Sequence, residues 1–207
     1  MVGIINYGSG NFTSVFNALS SITNDIVTIN KASDFNQCSH IILPGVGAFK
    51  TAMDKLNQLE IIDSLRDNVF QTKKPFLGIC VGMQILAETG VEFEASPGLG
   101  WIKGEVIKFD DQKMNNARLP HIGWNNVYGY ESSPLFQNIR HDDPSFYFVH
   151  SYHLSTNEKN LTCTYTDYGY PFIAAVQKDN IFGVQFHPEK SQFNGLQLLK
   201  NFLNFNG

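Results

Sequence analysis

"KKPFLGICVGMQILAE", residues 73–88, decides the fold. An apolar run, "PFLGI" (75–79), reads as a strand. It ends in a lone cysteine, Cys80, with Gly78 and Gly82 on either side, and from Val81 the apolar spacing turns helical. A strand feeding a helix through a sharp turn is the unit of a parallel sheet covered on its faces. A cysteine between small residues at ±2 also has the pattern of a nucleophile elbow, where backbone segments pass too close for Cβ atoms. Such a turn lifts the thiol above the sheet edge and aims the first free N–H groups of the helix at it, favouring negative charge there. The plain alternative is a buried cysteine at a strand end. A base and an oxyanion site elsewhere in the chain would separate the two.

Outward from this corner, strand and helix patterns alternate. "VGIINY" (2–7), "DIVTIN" (25–30) and "HIILPG" (40–45) predict strands. "FTSVFNALSSI" (12–22) predicts an amphipathic helix, and "AFKTAMDKLNQLEIIDSLRDNVF" (48–70) one long helix; "VGMQILAE" (81–88) predicts another. From about residue 100 the pattern changes to short strands between Gly, Asn, Asp and Pro: "GEVIKF", "SFYFVHSYHL", "LTCTYT", "FIAAVQ" and "NIFGVQF". "GLQLLKNFLNF" predicts a closing helix. The expectation is one α/β domain over 1–207, with a mostly parallel central sheet flanked by helices and an antiparallel extension in the second half.

Composition narrows the function. The 207 residues are 43% hydrophobic and 16% charged, as in a globular chain with a large core. A formal charge of −4 and the lack of a Lys/Arg stripe argue against nucleic acid as partner. No apolar run reaches the roughly 20 residues of a membrane span. "MVGIINYGSG" lacks the basic flank and cleavage site of a secretory signal. Cys38, Cys80 and Cys163 are an odd number in no metal-type spacing, so reduced thiols in a cytoplasm are expected and a metal site is not.

Among six histidines, His187 ends the apolar strand "NIFGVQF" and begins "HPEKS". Pro188 stops the strand, and Glu189 stands where it can reach back to the imidazole and fix its tautomer. Chemistry in open parallel sheets gathers at the carboxyl ends of strands, where Cys80 and His187 both lie. His150, in "YFVHSYH", is a rival base without an acidic neighbour. "ILPGVGAF" (42–49) follows a third strand. Its two glycines around Val46 let backbone N–H groups turn outward as oxyanion donors, although a plain Pro-Gly turn has the same composition. "NYGSGN" (6–11) is neither a full GxGxxG fingerprint nor a P-loop.

"PGVGAF" (44–49), "GICVGMQ" (78–84) and "VQFHPEKS" (184–191) together resemble, in order, the motifs of class I, triad-type glutamine amidotransferases. "YGSGN" (7–11), "LPHIGWN" (119–125) and "YFVHSY" (147–152) are similar to the branch that serves histidine biosynthesis, and the resemblance covers essentially the whole chain. It implies the class I amidotransferase fold and a glutaminase without metal or organic cofactor. Cys80 would attack L-glutamine to form a γ-glutamyl thioester, with His187 as proton shuttle and Glu189 as its orienter. Val46, Gly47 and Val81 would bind the oxyanion. Gly47, Gln84, His150, Ser151 and Tyr152 would hold the substrate. The partner implied is a HisF-type (β/α)8 barrel cyclase, which forms a heterodimer and uses the ammonia to make imidazole glycerol phosphate and AICAR. His121, Gly123, Trp124 and Asn125 are expected on the docking face. Asn6 and His153 depart from the usual pattern. They leave room for a paralogue that feeds a surface-polysaccharide sugar amidotransferase. From another class, a flavodoxin-like binding domain is the rival.

Overall fold

Short apolar runs without polar alternation become strands, and four of them build the first half of the main sheet, three buried throughout and the edge strand only partly. The structure, a computed structural model, describes residues 1–114 and 117–206. Strands β1 (Val2–Ile5), β2 (Ile26–Ile29), β3 (His40–Leu43) and β4 (Phe76–Ile79) are parallel, in the spatial order β2-β1-β3-β4. Helix α1 (Phe12–Ser20) connects β1 to β2 and buries Val15 and Leu19. Between β3 and β4 the sequence predicts one helix, but the structure has two, α2 (Phe49–Gln58) and α3 (Ile62–Phe70). Glu60 breaks the run with a left-handed φ of +53°, a common way to end a helix. The break re-aims the second apolar stripe, so that Leu65 and Val69 reach the core as fully as Leu56 does.

The helix expected over 81–88 is also shorter than its periodicity suggests. Only one turn, α4 (Val81–Gln84), forms before the chain continues as strand β5 (Ala87–Gly90). The cause is tertiary: Leu86 offers its carbonyl to the N–H groups of Trp101 and Ile102, each at 2.9 Å, and this draws the chain into a second sheet. That sheet adds β6 (Ser96–Pro97), β7 (Ile102–Lys108) and, after a separate hairpin, β10 (Tyr152–Ser155), in the order β10-β7-β5-β6.

The hairpin consists of β8 (His121–Asn126) and β9 (Ser145–His150). β8 is absent from the sequence reading, because Gly and Asn interrupt its strand propensity. "SFYFVHSYHL", read as one strand, divides at Ser151 into β9 and β10, which pair with different sheets. Strands β11 (Thr162–Tyr168), β12 (Tyr170–Lys178) and β13 (Ile181–Val184) extend the main sheet antiparallel to one another, and β13 then lies parallel to β4. The seven-stranded order is β11-β12-β13-β4-β3-β1-β2. Helix α5 (Gln192–Asn204) closes over it with Leu198, Leu199 and Phe202 buried. Among the described residues, no helix is long and apolar enough to cross a membrane.

This order positions the site. β3, β4 and β13 are adjacent and parallel, so the segments after Leu43, Ile79 and Val184 emerge side by side at one sheet edge. They carry Gly45–Gly47, Cys80 and His187.

Candidate active site

Cys80 takes φ +54° and ψ −108°, a backbone conformation L residues rarely adopt and one that costs about 1–3 kcal/mol. Its own hydrogen bonds hold it there. Its N–H donates to the Val184 carbonyl at 2.7 Å, and its carbonyl accepts from Met83 N–H at 3.0 Å and Gln84 N–H at 3.1 Å. The flanking glycines are required by space. A Cβ at Gly78 would stand 2.6 Å from the Gly82 carbonyl carbon and 2.8 Å from Met83 N; one at Gly82 would overlap the Leu43 carbonyl oxygen. Because α4 is a single turn, its dipole acts on the thiol far less than the expected longer helix would.

His187 and Glu189 meet as their spacing suggests. Pro188–Lys190 forms a tight helical turn, and His187 Nδ1–H donates to Glu189 Oε1 at 2.8 Å with both side chains fully buried. A second contact on that oxygen went unread in the sequence. Asn11 Nδ2, at the start of α1, donates to Glu189 Oε1 at 3.1 Å, and Ser9 Oγ donates to Asn11 Oδ1 at 2.6 Å. "YGSGN" thus buttresses the carboxylate. Nε2 of His187 makes no conventional hydrogen bond among the described residues, and the Cys80 sulfur is its neighbour. Burial opposes protonation of this imidazole. The Cys80 sulfur and the Glu189 carboxylate outweigh it and push the histidine up to about 10.

A cavity of about 450 Å³ opens beside Cys80. Gly47, Gln84, His150, Ser151 and Tyr152, expected around the substrate, all line it, together with Val46 and Val81. Glu92, Val149 and Lys190 complete the lining without having been anticipated. A larger hollow of about 890 Å³ lies between α2, α3 and Trp101, away from these groups. Gly47 has φ +99° and open space around its missing Cβ, so conformation rather than crowding selects glycine there. Of the expected oxyanion donors, Val81 N–H is engaged, donating to the Gly45 carbonyl at 3.3 Å.

His150 is not placed to be the base. Its Nδ1–H donates to the Tyr152 carbonyl at 2.8 Å, and its Nε2 accepts from His121 Nδ1–H at 3.3 Å. Burial holds it well below the usual histidine range, neutral and tied at both nitrogens.

The expected docking residues divide by strand alternation. His121 is 2% exposed and stacks on Phe148 and Tyr168, so it belongs to the interior rather than to a docking face. Gly123 and Asn125 share its parity in β8 and are only partly exposed. Trp124 at 47% and the unforeseen Ile122 at 59% point outward. The two departures have local explanations away from the sulfur: Asn6 Nδ2 donates to Asn30 Oδ1 at 3.1 Å, and His153 packs against Phe109 and bonds Tyr170.

A thiol, a buried imidazole and a carboxylate in series, at the carboxyl edge of a parallel sheet and beside a small-molecule cavity, define a triad-type cysteine acyl-transfer enzyme. The model of the family "Glutamine amidotransferase class-I" matches residues 4–205, and the chain belongs to that family. It is 45% identical to the imidazole glycerol phosphate synthase subunit HisH of Leptospira interrogans, over 98% of each chain. It is 42% identical to the subunit of the same name from Pelagibacter ubique, over 98% of this chain and 99% of that one. In structure it resembles a crystal structure of a glutamine amidotransferase, with a TM-score of 0.73 at 19% identity, covering 98% of this chain and 96% of the other. PurLQS from Thermotoga maritima gives 0.71 at 18% identity, covering 98% and 97%. At such identities these two share the fold. Family membership displaces the flavodoxin-like alternative.

Proposed function

We propose that residues 1–207 form one cytoplasmic glutaminase domain, the ammonia-supplying subunit of an imidazole glycerol phosphate synthase. The observation that carries this reading is the buried His187–Glu189 pair at 2.8 Å behind a strained Cys80 elbow. Cys80 Sγ attacks the side-chain carboxamide carbon of L-glutamine, forming a C–S bond while negative charge collects on the carboxamide oxygen. The N–H groups of Val46 and Gly47 face that charge; Val81 joins them when its contact with the Gly45 carbonyl opens. His187 gives its Nε2 proton to the nitrogen as the C–N bond breaks and ammonia leaves. Water, giving a proton to the same Nε2, attacks the thioester; the C–S bond breaks, glutamate departs and the sulfur is regenerated. Glu189 keeps the imidazole in one tautomer through both halves.

Free ammonia is protonated at neutral pH and ceases to be a nucleophile, so the product needs a dry path to its acceptor. We assign that acceptor to a HisF-type (β/α)8 barrel cyclase seated on the outward face of β8, where the relatives' shared name and the exposed Ile122 and Trp124 support it. The test is glutamate release with and without a purified barrel cyclase and its nucleotide substrate. The expected result is stimulation by the pair, its loss in Cys80→Ala, and a partner Kd raised about 10-fold or more in Trp124→Ala with Tm unchanged. Undiminished glutamate release from Cys80→Ala would overturn the reading.

A further inference from the structure

Gln185 precedes the histidine motif by two residues and is completely buried. Its amide bridges two partners: Nε2 lies 3.6 Å from Cys80 Sγ, and Oε1 lies 3.2 Å from Gln84 Nε2. The two ends of an amide are alike in shape, so its orientation follows from its neighbours. Here they leave one solution. Gln84 Nε2 also meets the Tyr152 carbonyl at 3.0 Å, and a carbonyl oxygen only accepts, so that end of Gln84 is the NH₂. The Gln185 atom facing that NH₂ must accept and is therefore the oxygen. Its NH₂ is left to face the sulfur. His150 Nδ1–H donates to the same Tyr152 carbonyl at 2.8 Å and helps hold the anchor still.

We propose that Gln185 is a further catalytic residue, whose side-chain N–H stabilises negative charge on the Cys80 sulfur. A hydrogen bond to the charged form favours that form, and a buried donor already oriented toward the sulfur needs no rearrangement when charge arrives. The contribution spans both halves of the reaction and in this respect rests on the glutaminase reading above. In the first half the sulfur's electron pair becomes the C–S bond. In the second, as water's oxygen bonds the acyl carbon, that pair returns to sulfur, which leaves facing Gln185 N–H. Stabilising the departing thiolate speeds its departure. Gln84 acts through Gln185 and is a positioning residue in this chain of contacts.

The test measures the sulfur directly. The full chain, alone at pH 7, is treated with iodoacetamide, and alkylation is followed on the Cys80 peptide by mass spectrometry so that Cys38 and Cys163 do not contribute. Gln185→Leu removes the donor. Gln185→Glu keeps an acceptor for Gln84 but sets an oxygen against the sulfur. The expected order is wild type fastest, Leu about 10-fold slower and Glu about 100-fold slower, the range for hydrogen bonds to charged groups. In the presence of the cyclase, glutaminase kcat falls in the same order with KM nearly unchanged. Equal rates, or a Glu variant faster than Leu, would reduce Gln185 to a packing role and overturn the proposal. If neither variant folds, NMR of the unaltered sequence decides. The two geminal amide protons of Gln185 respond unequally as Cys80 ionises if one is bonded to sulfur; an equal or absent response overturns the proposal. The alkylation assay uses no glutamine. An inactive wild type with the expected rate order would therefore sink the glutaminase reading alone, and an active wild type with equal rates would sink this inference alone.

Discussion

At the scale of single residues, the site is a line of polar atoms that begins well behind the nucleophile. Ser9, Asn11, Glu189 and His187 follow one another toward Cys80, each link at 3.1 Å or less up to the imidazole. The carboxylate oxygen that orients His187 is itself held by Asn11, and this predicts a graded response. Glu189→Gln loses the charge that supports the imidazolium and lowers kcat for glutamine hydrolysis by about 10²–10⁴-fold. Asn11→Ala removes one charge-assisted hydrogen bond and lowers it by about 10-fold. Steady-state kinetics with the cyclase present, alongside thermal melts, check both; equal losses in the two variants would contradict the series. The Cys80 elbow and the His187–Glu189 pair were legible because they sit in short, ordered motifs: a cysteine between glycines, and a histidine two residues from a glutamate. Gln185 was not. Its role depends on where Gln84 and the Tyr152 carbonyl lie, and nothing in "GVQFHP" says that an amide will face a thiol.

At the scale of elements, glycine and strand alternation do most of the placing. Gly82 lies against the Leu43 backbone with no space for a Cβ, whereas Gly47 has space and an unusual φ. The two positions therefore answer alanine differently. Gly82→Ala forces β3 and the elbow apart and costs about 3 kcal/mol or more, read as a lower urea midpoint. Gly47→Ala bears only the strain of its positive φ, about 1 kcal/mol or somewhat more, and keeps the fold while glutaminase activity falls. A Gly82→Ala protein as stable as wild type would remove the steric basis of the corner. Elements with one clear period were readable from sequence. The misreadings came where tertiary partners overrode it: Glu60 divided a continuous helical stripe, Leu86 was recruited into the second sheet, and Gly123 and Asn125 disguised β8. Missing β8 as a strand also blurred which of its residues face outward, since period two is what separates the buried His121 from the exposed Trp124.

For the whole molecule, the two groups of histidines give opposite dependences on pH. His121, His150 and His153 are buried around Phe172, and desolvation lowers all three, His121 to about 4. The unfolded chain, with histidines near 6.5, binds more protons than the folded one below that value. Stability is therefore lost as pH falls from about 6.5 toward 4. His187 is raised to about 10, so its contribution is complete below about 6.5 and is lost as pH rises through 10. Urea midpoints across pH 4–10 check both arms. His121→Phe, which preserves the ring stack, should flatten the acid arm and leave the alkaline one; an unchanged acid arm would contradict the assignment. The proposed acyl transfer from glutamine depends on three adjacent strand ends, which bring together the Gly45–Gly47 loop, Cys80, and His187 with its orienter Glu189. The most direct measurement is rapid acid quench of the chain with cyclase, nucleotide and glutamine, followed by mass analysis of the cysteine peptides. The expected result is a transient γ-glutamyl adduct on Cys80, with Cys38 and Cys163 unmodified. Ammonia release at full rate with no adduct on Cys80 at any quench time would contradict it.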